Sequence, residues 1–414
     1  MKVERGMHAI ISAISVVRSI FGRDLLEGFF SLFLCTIGDL ITGIVMGVFT
    51  GYLKLLPALL IMIPPTIGMR GNIFASLGSR LGTYLHTGEI EPNFSLNPIL
   101  SQNINSSLFL TASMSILLGF SSAILANLMG ISAGYEDLIV ISIATGISSA
   151  IIMLLFTFLV AFLSFRKGWD PDNVTAPLIT LVGDMVTLPL MFLFVAPVLQ
   201  LPSIAKDLMV FIFIVLIIAL HYLYTIKNEK HHYNRILKES LPILSICGIL
   251  GLFSGGVLST RIENFITIPG LLILIPPFLE DGGAIGGILA SRISSSLHLG
   301  TLDYERILSR NTIRLFLFAH VLSLFVFSLV GLFVYISSHI MGIRTLSLQN
   351  LLTVSIISGQ ILTILIDAVT YTVSVYSFRK GIDPDNVTIP IITSVIDLLG
   401  ASCLIGVLIL FNLV

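Results

Sequence analysis

Ser164 to Thr175 reads SFRKGWDPDNVT, and Ser377 to Thr388 reads SFRKGIDPDNVT; eleven of the twelve positions are identical. The match extends outward in both directions. A shift of 212 residues carries Pro64-Pro65 onto Pro276-Pro277, Gly71 onto Gly283, Ser79-Arg80 onto Ser291-Arg292 and His86 onto His298. From the repeated segment onward the shift is 213, and Pro177, Thr180 and Asp184 meet Pro390, Thr393 and Asp397. The chain is therefore a duplication, and any feature present in both copies is a candidate for shared function.

Composition says what kind of molecule was duplicated. Of 414 residues, 55% are hydrophobic and only 11% charged, and mean hydropathy is +1.02. Soluble domains carry about 25% charged residues, so a surface built from this chain would not stay in water. The net charge of -1 gives no field to attract nucleic acid. Cys35, Cys247 and Cys403 lie in apolar runs without CxxC spacing, which excludes a disulfide framework or thiolate cluster and reads as small hydrophobes in membrane helices. No HExxH or GxSxG is present, so the common hydrolase signatures are missing and no enzyme is expected.

A membrane-spanning helix needs about 20 mostly apolar residues. Eleven segments qualify: 29–53, 57–86, 104–130, 136–164, 173–198, 207–226, 241–260, 268–298, 313–338, 350–377 and 386–413. With the N-terminus in the cytoplasm, 17 of the 22 basic residues fall on the inner side, four fall outside and Arg70 lies within a span. The excess obeys the positive-inside rule and puts the C-terminus outside. The expected fold is an all-α polytopic membrane protein. An interfacial segment (1–28) precedes a first five-helix repeat (29–198). A linking helix and basic loop (199–240) lead to a second repeat (241–414). The linking helix returns the chain to the cytoplasm, so the repeats run parallel about a pseudo-two-fold axis along the membrane normal. His231-His232 belongs to the basic, solvated loop rather than to a metal site.

Ionisable residues inside spans are expensive and usually functional. Here they are Asp39, Arg70, Asp184, Glu280, Asp281, Asp367 and Asp397, six acids and one base, which points to a cation or proton pathway. Asp184 and Asp397 each follow the asparagine of a DPDN turn by 11 residues, about 16 Å of helical rise. The hydrocarbon half-thickness is about 15 Å, so both carboxylates fall near the midplane. Asn173, Thr180 and Asp184, and Asn386, Thr393 and Asp397, recur at i, i+7 and i+11, within about 40° on one helix face. Pro177 and Pro390 lack the N–H that would bond the carbonyls of Asn173 and Asn386, leaving those oxygens open to water or a hydrated cation. Asp170 and Asp383 read as helix caps. The Pro-Pro pairs are expected to break the second and eighth helices in mid-membrane. Arg70 is expected to pair across the axis with Glu280 or Asp281. At least one of Asp39 and Asp367, which have Gly251 and Leu154 as counterparts, is expected to bind a second cation, Na⁺ or H⁺.

The segments IPPTIGMRGNIFASLGSRL (63–81) and WDPDNVTAPLITLVGDMVTL (169–188), with their partners LILIPPFLEDGGAIGGILASRISSSLHLG (272–300) and IDPDNVTIPIITSVIDLLG (382–400), resemble the solute carrier family 41 magnesium transporters and the membrane domain of MgtE-type magnesium channels. That resemblance implies two five-helix units around a pore for hydrated Mg²⁺. Asp184 and Asp397 would bind the ion, Thr180 and Thr393 would stand beside them, and Asn173 and Asn386 would line the cytoplasmic entrance. Ala284 stands where the first repeat has Asn72. Mg²⁺ suits the residues independently: it dehydrates reluctantly and is often held by one or two carboxylates through retained water. Mn²⁺ and Co²⁺ share this donor chemistry. The expectation is Mg²⁺ as cargo with no organic cofactor, a pore complete within one chain with no oligomer required, and a home in the plasma membrane. A proton- or sodium-coupled carrier of an organic solute is the alternative. An intramembrane aspartyl protease is disfavoured, because Leu181-Val182-Gly183-Asp184 lacks the first glycine of GxGD and no Tyr-Asp partner occurs.

Overall fold

Backbone groups in hydrocarbon must find partners within their own segment, and this chain meets that demand with helices. The computed structural model describes residue 25 and residues 28–93, 97–167, 171–227, 231–302, 309–380 and 384–414, with the side chains of 171–177, 226–227 and 384–390 excluded. Among the described residues there are thirteen helices. The first half holds α1 (Gly28–Val48), the short α2 (Thr50–Leu55), α3 (Leu59–His86), α4 (Pro98–Leu128), α5 (Tyr135–Arg166) and α6 (Pro171–Gln200). The linker is α7 (Ser203–Lys227). The second half holds α8 (His231–Ser259), the short α9 (Ile262–Thr267), α10 (Gly270–His298), α11 (Arg310–Ile340), α12 (Leu348–Arg379) and α13 (Pro384–Leu410). Ten of these are long and apolar enough to cross a bilayer. The eleventh expected span is α3, 28 residues long. Arg70, Asn72 and Arg80 dilute its hydropathy, which α3 tolerates because it packs among protein rather than lipid. The expected N-terminal interfacial segment lies outside the described residues.

The helices of the two halves end alike. Gly88 and Gly300 follow α3 and α10 with φ of +74° and +67°, and Gly130 and Gly342 follow α4 and α11 with +77° and +64°. A left-handed residue closes a helix by letting the next N–H turn back onto its last carbonyls, and glycine adopts it without a Cβ penalty. Each pair is separated by the same 212 residues found in the sequence.

Each half also lends its first helix to the other. Helix α8 packs on α3 and α4 of the first half and on α13 of its own. Helix α1 packs on α10 through Gly43 and Gly47, on α11 through Gly28, and on α6 of its own half through Gly38. Ring pairs Phe29–Phe325 and Phe33–Phe333 continue the α1–α11 seam at centroid distances of 4.4 and 6.1 Å. The linker α7 is almost wholly uncovered and is pinned near its start by an ion pair between Lys206 and Asp137 of α5.

The Pro-Pro pairs do not break their helices. Pro64 and Pro65 lie one and a half turns inside α3, and Pro276 and Pro277 lie inside α10; both helices run on to their histidines. A proline removes its own N–H, so each pair leaves two carbonyls four residues back without helix partners, those of Leu60 and Ile61 in α3 and of Leu272 and Ile273 in α10. The second proline of each pair frees those of Ile61 and Ile273. Both are covered by a glycine of the exchanged helix: a Cβ on Gly255 would collide with the Ile61 oxygen, and one on Gly43 with the Ile273 oxygen. Gly43 and Gly255 are 212 residues apart. Close approach of a glycine Cα to a carbonyl places a weak C–H donor on the orphaned acceptor, so the helix stays whole where a free carbonyl would have bent it.

Arg70 departs from expectation as well. It is wholly buried, and its Nη2 donates to Ser115 Oγ of α4 at 3.1 Å. Both rest on Gly146 of α5, where a Cβ would meet Ser115 Oγ and Nη2. In the second half Gly282 replaces Arg70, and the Phe327 ring lies on Gly359, the counterpart of Gly146. Arg70 and Ser115 therefore fill a volume that a phenyl ring fills in the other copy. The expected pair with Glu280 or Asp281 is absent among the described residues, for a geometric reason. Glu280 occupies the place of Gly68, and Arg70 lies two residues, about 200°, further around the helix.

Two outcomes follow from this packing. Gly255→Leu and Gly43→Leu each drive a side chain into a backbone oxygen, and each should lower stability by about 1–3 kcal/mol in thermal unfolding of detergent-solubilised protein. Gly406→Ala, at a glycine with nothing within 4 Å, should change it by no more than about 0.5 kcal/mol. In the same assay Arg70→Met and Glu280→Gln should be additive to within about 0.5 kcal/mol; coupling beyond that would restore the ion pair.

Candidate functional site

Six helices enclose a cavity of about 490 Å³ between the two halves. Each contributes at least two residues, among them a pair spaced i, i+4, one turn apart on a single helix face. From α1 and α8 come Cys35 with Asp39, and Cys247 with Gly251. From α3 and α10 come Gly68 with Asn72, and Glu280 with Ala284. From α6 and α13 come Thr180 with Asp184, and Thr393 with Asp397. Every pair in one half has its counterpart in the other at a shift of 212 or 213 residues. The exchanged helices make this possible, because α1 and α8 each reach a wall that their own half could not line alone.

The wall is held in place by small-residue contacts. A Cβ on Gly71 of α3 would come within 2.9 Å of Thr180 Cγ2, and one on Gly283 of α10 within 3.7 Å of Thr393. These glycines let α6 and α13 press their threonines against the neighbouring helix and turn the aspartates, one turn further, toward the cavity. Ser254 of α8 donates to the backbone carbonyl of Asp397 at 3.0 Å, which ties α13 to the exchanged helix at the level of that aspartate. Gly251 meets Pro65, so the exchanged helix also abuts the proline of the wall.

The charge is one-sided. Asp39, Asp184, Glu280 and Asp397 line the cavity, and no arginine, lysine or histidine lies among its lining residues. Four carboxylates facing one low-dielectric space focus a negative potential that draws in cations and repels anions. Asp184 is 2% exposed, and its Oδ1 has no hydrogen-bond partner among the described residues. Among those residues no three carboxylate, thiol or imidazole groups converge as a direct ligand set.

Other expected residues lie elsewhere. Asp281 is wholly buried beside the cavity rather than in its wall, and its Oδ2 accepts from Thr36 Oγ1 of α1 at 2.7 Å. Arg70 points away into the first half. Asp367 is on α12, next to His320 of α11, and lines no part of the cavity. Asn173 and Asn386 stand in the first turns of α6 and α13, and their side chains lie outside the described residues. Cys35 and Cys247 were read from the sequence only as small hydrophobes, yet both line the cavity. The signal was there: the 212-residue shift carries one cysteine onto the other, and Asp39 follows the first by four residues.

Comparison with known proteins gives the family. The MgtE family model, described as a divalent cation transporter, matches the chain twice, at residues 63–194 and 275–407. The chain is 24% identical over 371 residues to solute carrier family 41 member 3 of Mus musculus, an alignment covering 84% of this chain and 74% of that protein. It is 27% identical over 379 residues to solute carrier family 41 member 2 of Homo sapiens, covering 83% and 62% respectively. No solved structure matches the chain. The apolar helices and the acidic cavity belong to a transporter rather than an enzyme, and with more than half of its length inside the two family matches, the chain is an integral membrane protein of the MgtE divalent cation transporter family.

Proposed function

We propose that the acidic cavity is the midpoint of a Mg²⁺ pathway, with Asp184 and Asp397 as the paired ion site. Thr180 and Thr393 offer hydroxyl oxygens one turn below them, and Asn173 and Asn386 mark the cytoplasmic entrance. The two halves are related by a pseudo-two-fold axis along the membrane normal, and the axis passes through this cavity. A single chain supplies the whole pathway. The N-terminus faces the cytoplasm, the C-terminus faces outward, and the host membrane is the plasma membrane.

The observation that carries this reading is the matched i, i+4 pairs from six helices, which put an aspartate from each copy on the same space. The choice of Mg²⁺ rests on donor chemistry. Mg²⁺ keeps an octahedral shell and gives up water reluctantly, so it is commonly held by one or two carboxylates plus water. Mn²⁺ and Co²⁺ would bind the same oxygens, and selectivity among them would come from how much of the shell must be shed.

Asp184→Asn and Asp397→Asn should each reduce Mg²⁺ uptake into proteoliposomes by about tenfold or more, a barrier rise of about 1.4 kcal/mol or more, while leaving the thermal unfolding midpoint within a few degrees of wild type. Normal flux in both variants would overturn the paired site. A membrane-impermeant cationic thiol reagent should block wild-type flux through Cys35 and Cys247. The Cys35→Ala/Cys247→Ala double variant should resist the block, whereas Cys403→Ala should remain sensitive.

A further inference from the structure

We infer that His320 and Asp367 hold a transferable proton between α11 and α12, apart from the central cavity, and that loss and gain of this proton is coupled to cation movement. The coupling half of this inference rests on the transport reading above; the proton site does not.

The hydrogen bonds assign the proton. His320 Nδ1 lies 2.8 Å from Gln360 Oε1. The opposite end of that amide, Nε2, lies 3.3 Å from the backbone carbonyl of His320 and 3.1 Å from Ser323 Oγ. A carbonyl can only accept, so the atom facing it must be the NH₂ group and the amide orientation is settled. Oε1 then faces the ring, and Nδ1 must donate to it. Thr363 Oγ1 donates to the same Ser323 Oγ at 2.6 Å, which locks the serine and amide further.

A neutral imidazole carries one N–H. With that hydrogen on Nδ1, Nε2 presents a lone pair to Asp367 Oδ2, 3.4 Å away. Two acceptors do not face each other across this distance unless a proton stands between them, and here the carboxylate is buried while the imidazole is 30% exposed. The pair therefore carries one more proton, as imidazolium with carboxylate or as imidazole with carboxylic acid, and its net charge is zero in either form. Releasing that proton to water leaves a carboxylate opposite a lone pair, a net charge of -1. Asp367 is 6% exposed, and its Oδ1 has no partner among the described residues, so this charge would be nearly uncompensated in hydrocarbon.

No other charged group meets the pair among the described residues. Tyr371, one turn along α12, turns its ring edge toward Phe316. On α10, Arg292 lies over the Phe318 ring, and Asp281 bonds Thr36 of α1. Asp39 on α1, Glu280 on α10 and Asp397 on α13 face the cavity.

The duplication shows that packing alone does not require this network. At the same shifts, His320, Gln360, Thr363 and Asp367 have Leu108, Ile147, Ala150 and Leu154 as counterparts. Leu108 and Ile147 are exposed on the outer face of the first half. One copy is aliphatic here, and the other carries a titratable pair joined by an amide and two hydroxyls. A two-fold cation path needs no such asymmetry, whereas a proton that moves in only one half does.

The full chain in proteoliposomes tests this, with the membrane potential clamped at zero. A one-unit pH gradient should shift the Mg²⁺ accumulation ratio by about tenfold for one-for-one coupling, and an imposed Mg²⁺ gradient should move protons, read by an entrapped pH dye. Asp367→Asn, His320→Gln and the His320→Leu/Asp367→Leu double variant should keep Mg²⁺ flux at symmetric pH and lose the gradient response. The double variant reproduces the aliphatic packing of the first half and guards against a folding defect. Wild-type flux that ignores the pH gradient, or follows a Na⁺ gradient instead, overturns the coupling, as do variants that respond like wild type. Independently, ¹⁵N resonances of His320 and the infrared carboxylic acid band assigned by Asp367→Asn report the proton itself. A neutral His320 protonated on Nδ1 alone, with Asp367 ionised at neutral pH, overturns the site. If wild type carries no Mg²⁺, the transport reading and the coupling fail together, and the spectra alone decide the proton site.

Discussion

A carbonyl that loses its helix partner inside a bilayer has no water to turn to, and two of the four carbonyls freed by the proline pairs are covered from the far half of the chain. Pro65 and Pro277 each orphan one oxygen, at Ile61 and Ile273, and each oxygen is met by a glycine from the far half of the chain. That contact requires α1 and α8 to leave their own repeats and lie against the neighbour's proline helix. Once they do, Cys35 and Asp39, and Cys247 and Gly251, reach the space between the halves. The exchange thus adds two of the six helices and one of the four acids, Asp39, to the cavity wall, and the glycines make it sterically feasible.

The duplicated frame is then used unequally. Helix ends, proline pairs, threonines and the paired aspartates recur in both copies. Asp39, Glu280 and Asp281 do not, and they gather toward the side of the cavity where α1 meets α10. Arg70 and the His320–Asp367 pair are also single, and both lie in the outer bundles rather than on the wall. Three of these charges have one local partner each, a serine beside Arg70, a threonine beside Asp281 and an imidazole beside Asp367, while Arg70 Nε and Nη1, Asp281 Oδ1 and Asp367 Oδ1 have none among the described residues.

Much of this was legible from the residues. Hydropathy marked the spans because the contrast between lipid-facing and loop segments is local, and the 212-residue shift revealed the copy because identity survives at turns and at small residues. The i+7 and i+11 spacing brought Thr180 and Asp184 onto one face because a helix has a fixed period. What stayed hidden depends on contacts made across the chain. Pro64-Pro65 looked like a break because a local rule cannot include Gly255, nearly two hundred residues away. Arg70 looked like a partner for Glu280 because alignment places them close, although the helical turn sends them to opposite sides. Cys35 and Cys247 looked inert because nothing nearby in sequence shows that their helices change neighbours.

The exchange of first helices also sets a schedule for synthesis. Ile61 leaves the ribosome 194 residues ahead of Gly255, which at about 5–20 residues per second is roughly 10–40 s. Through that interval α3, the least apolar of the long helices and the carrier of Arg70, must sit in or beside the insertion machinery without its eventual cover. The first copy cannot mature as a unit on emergence; it waits for the second, and the second completes itself only by finding α1 still unclaimed. Two copies that look like independent domains on paper are, during biogenesis, a single object that closes only near its end.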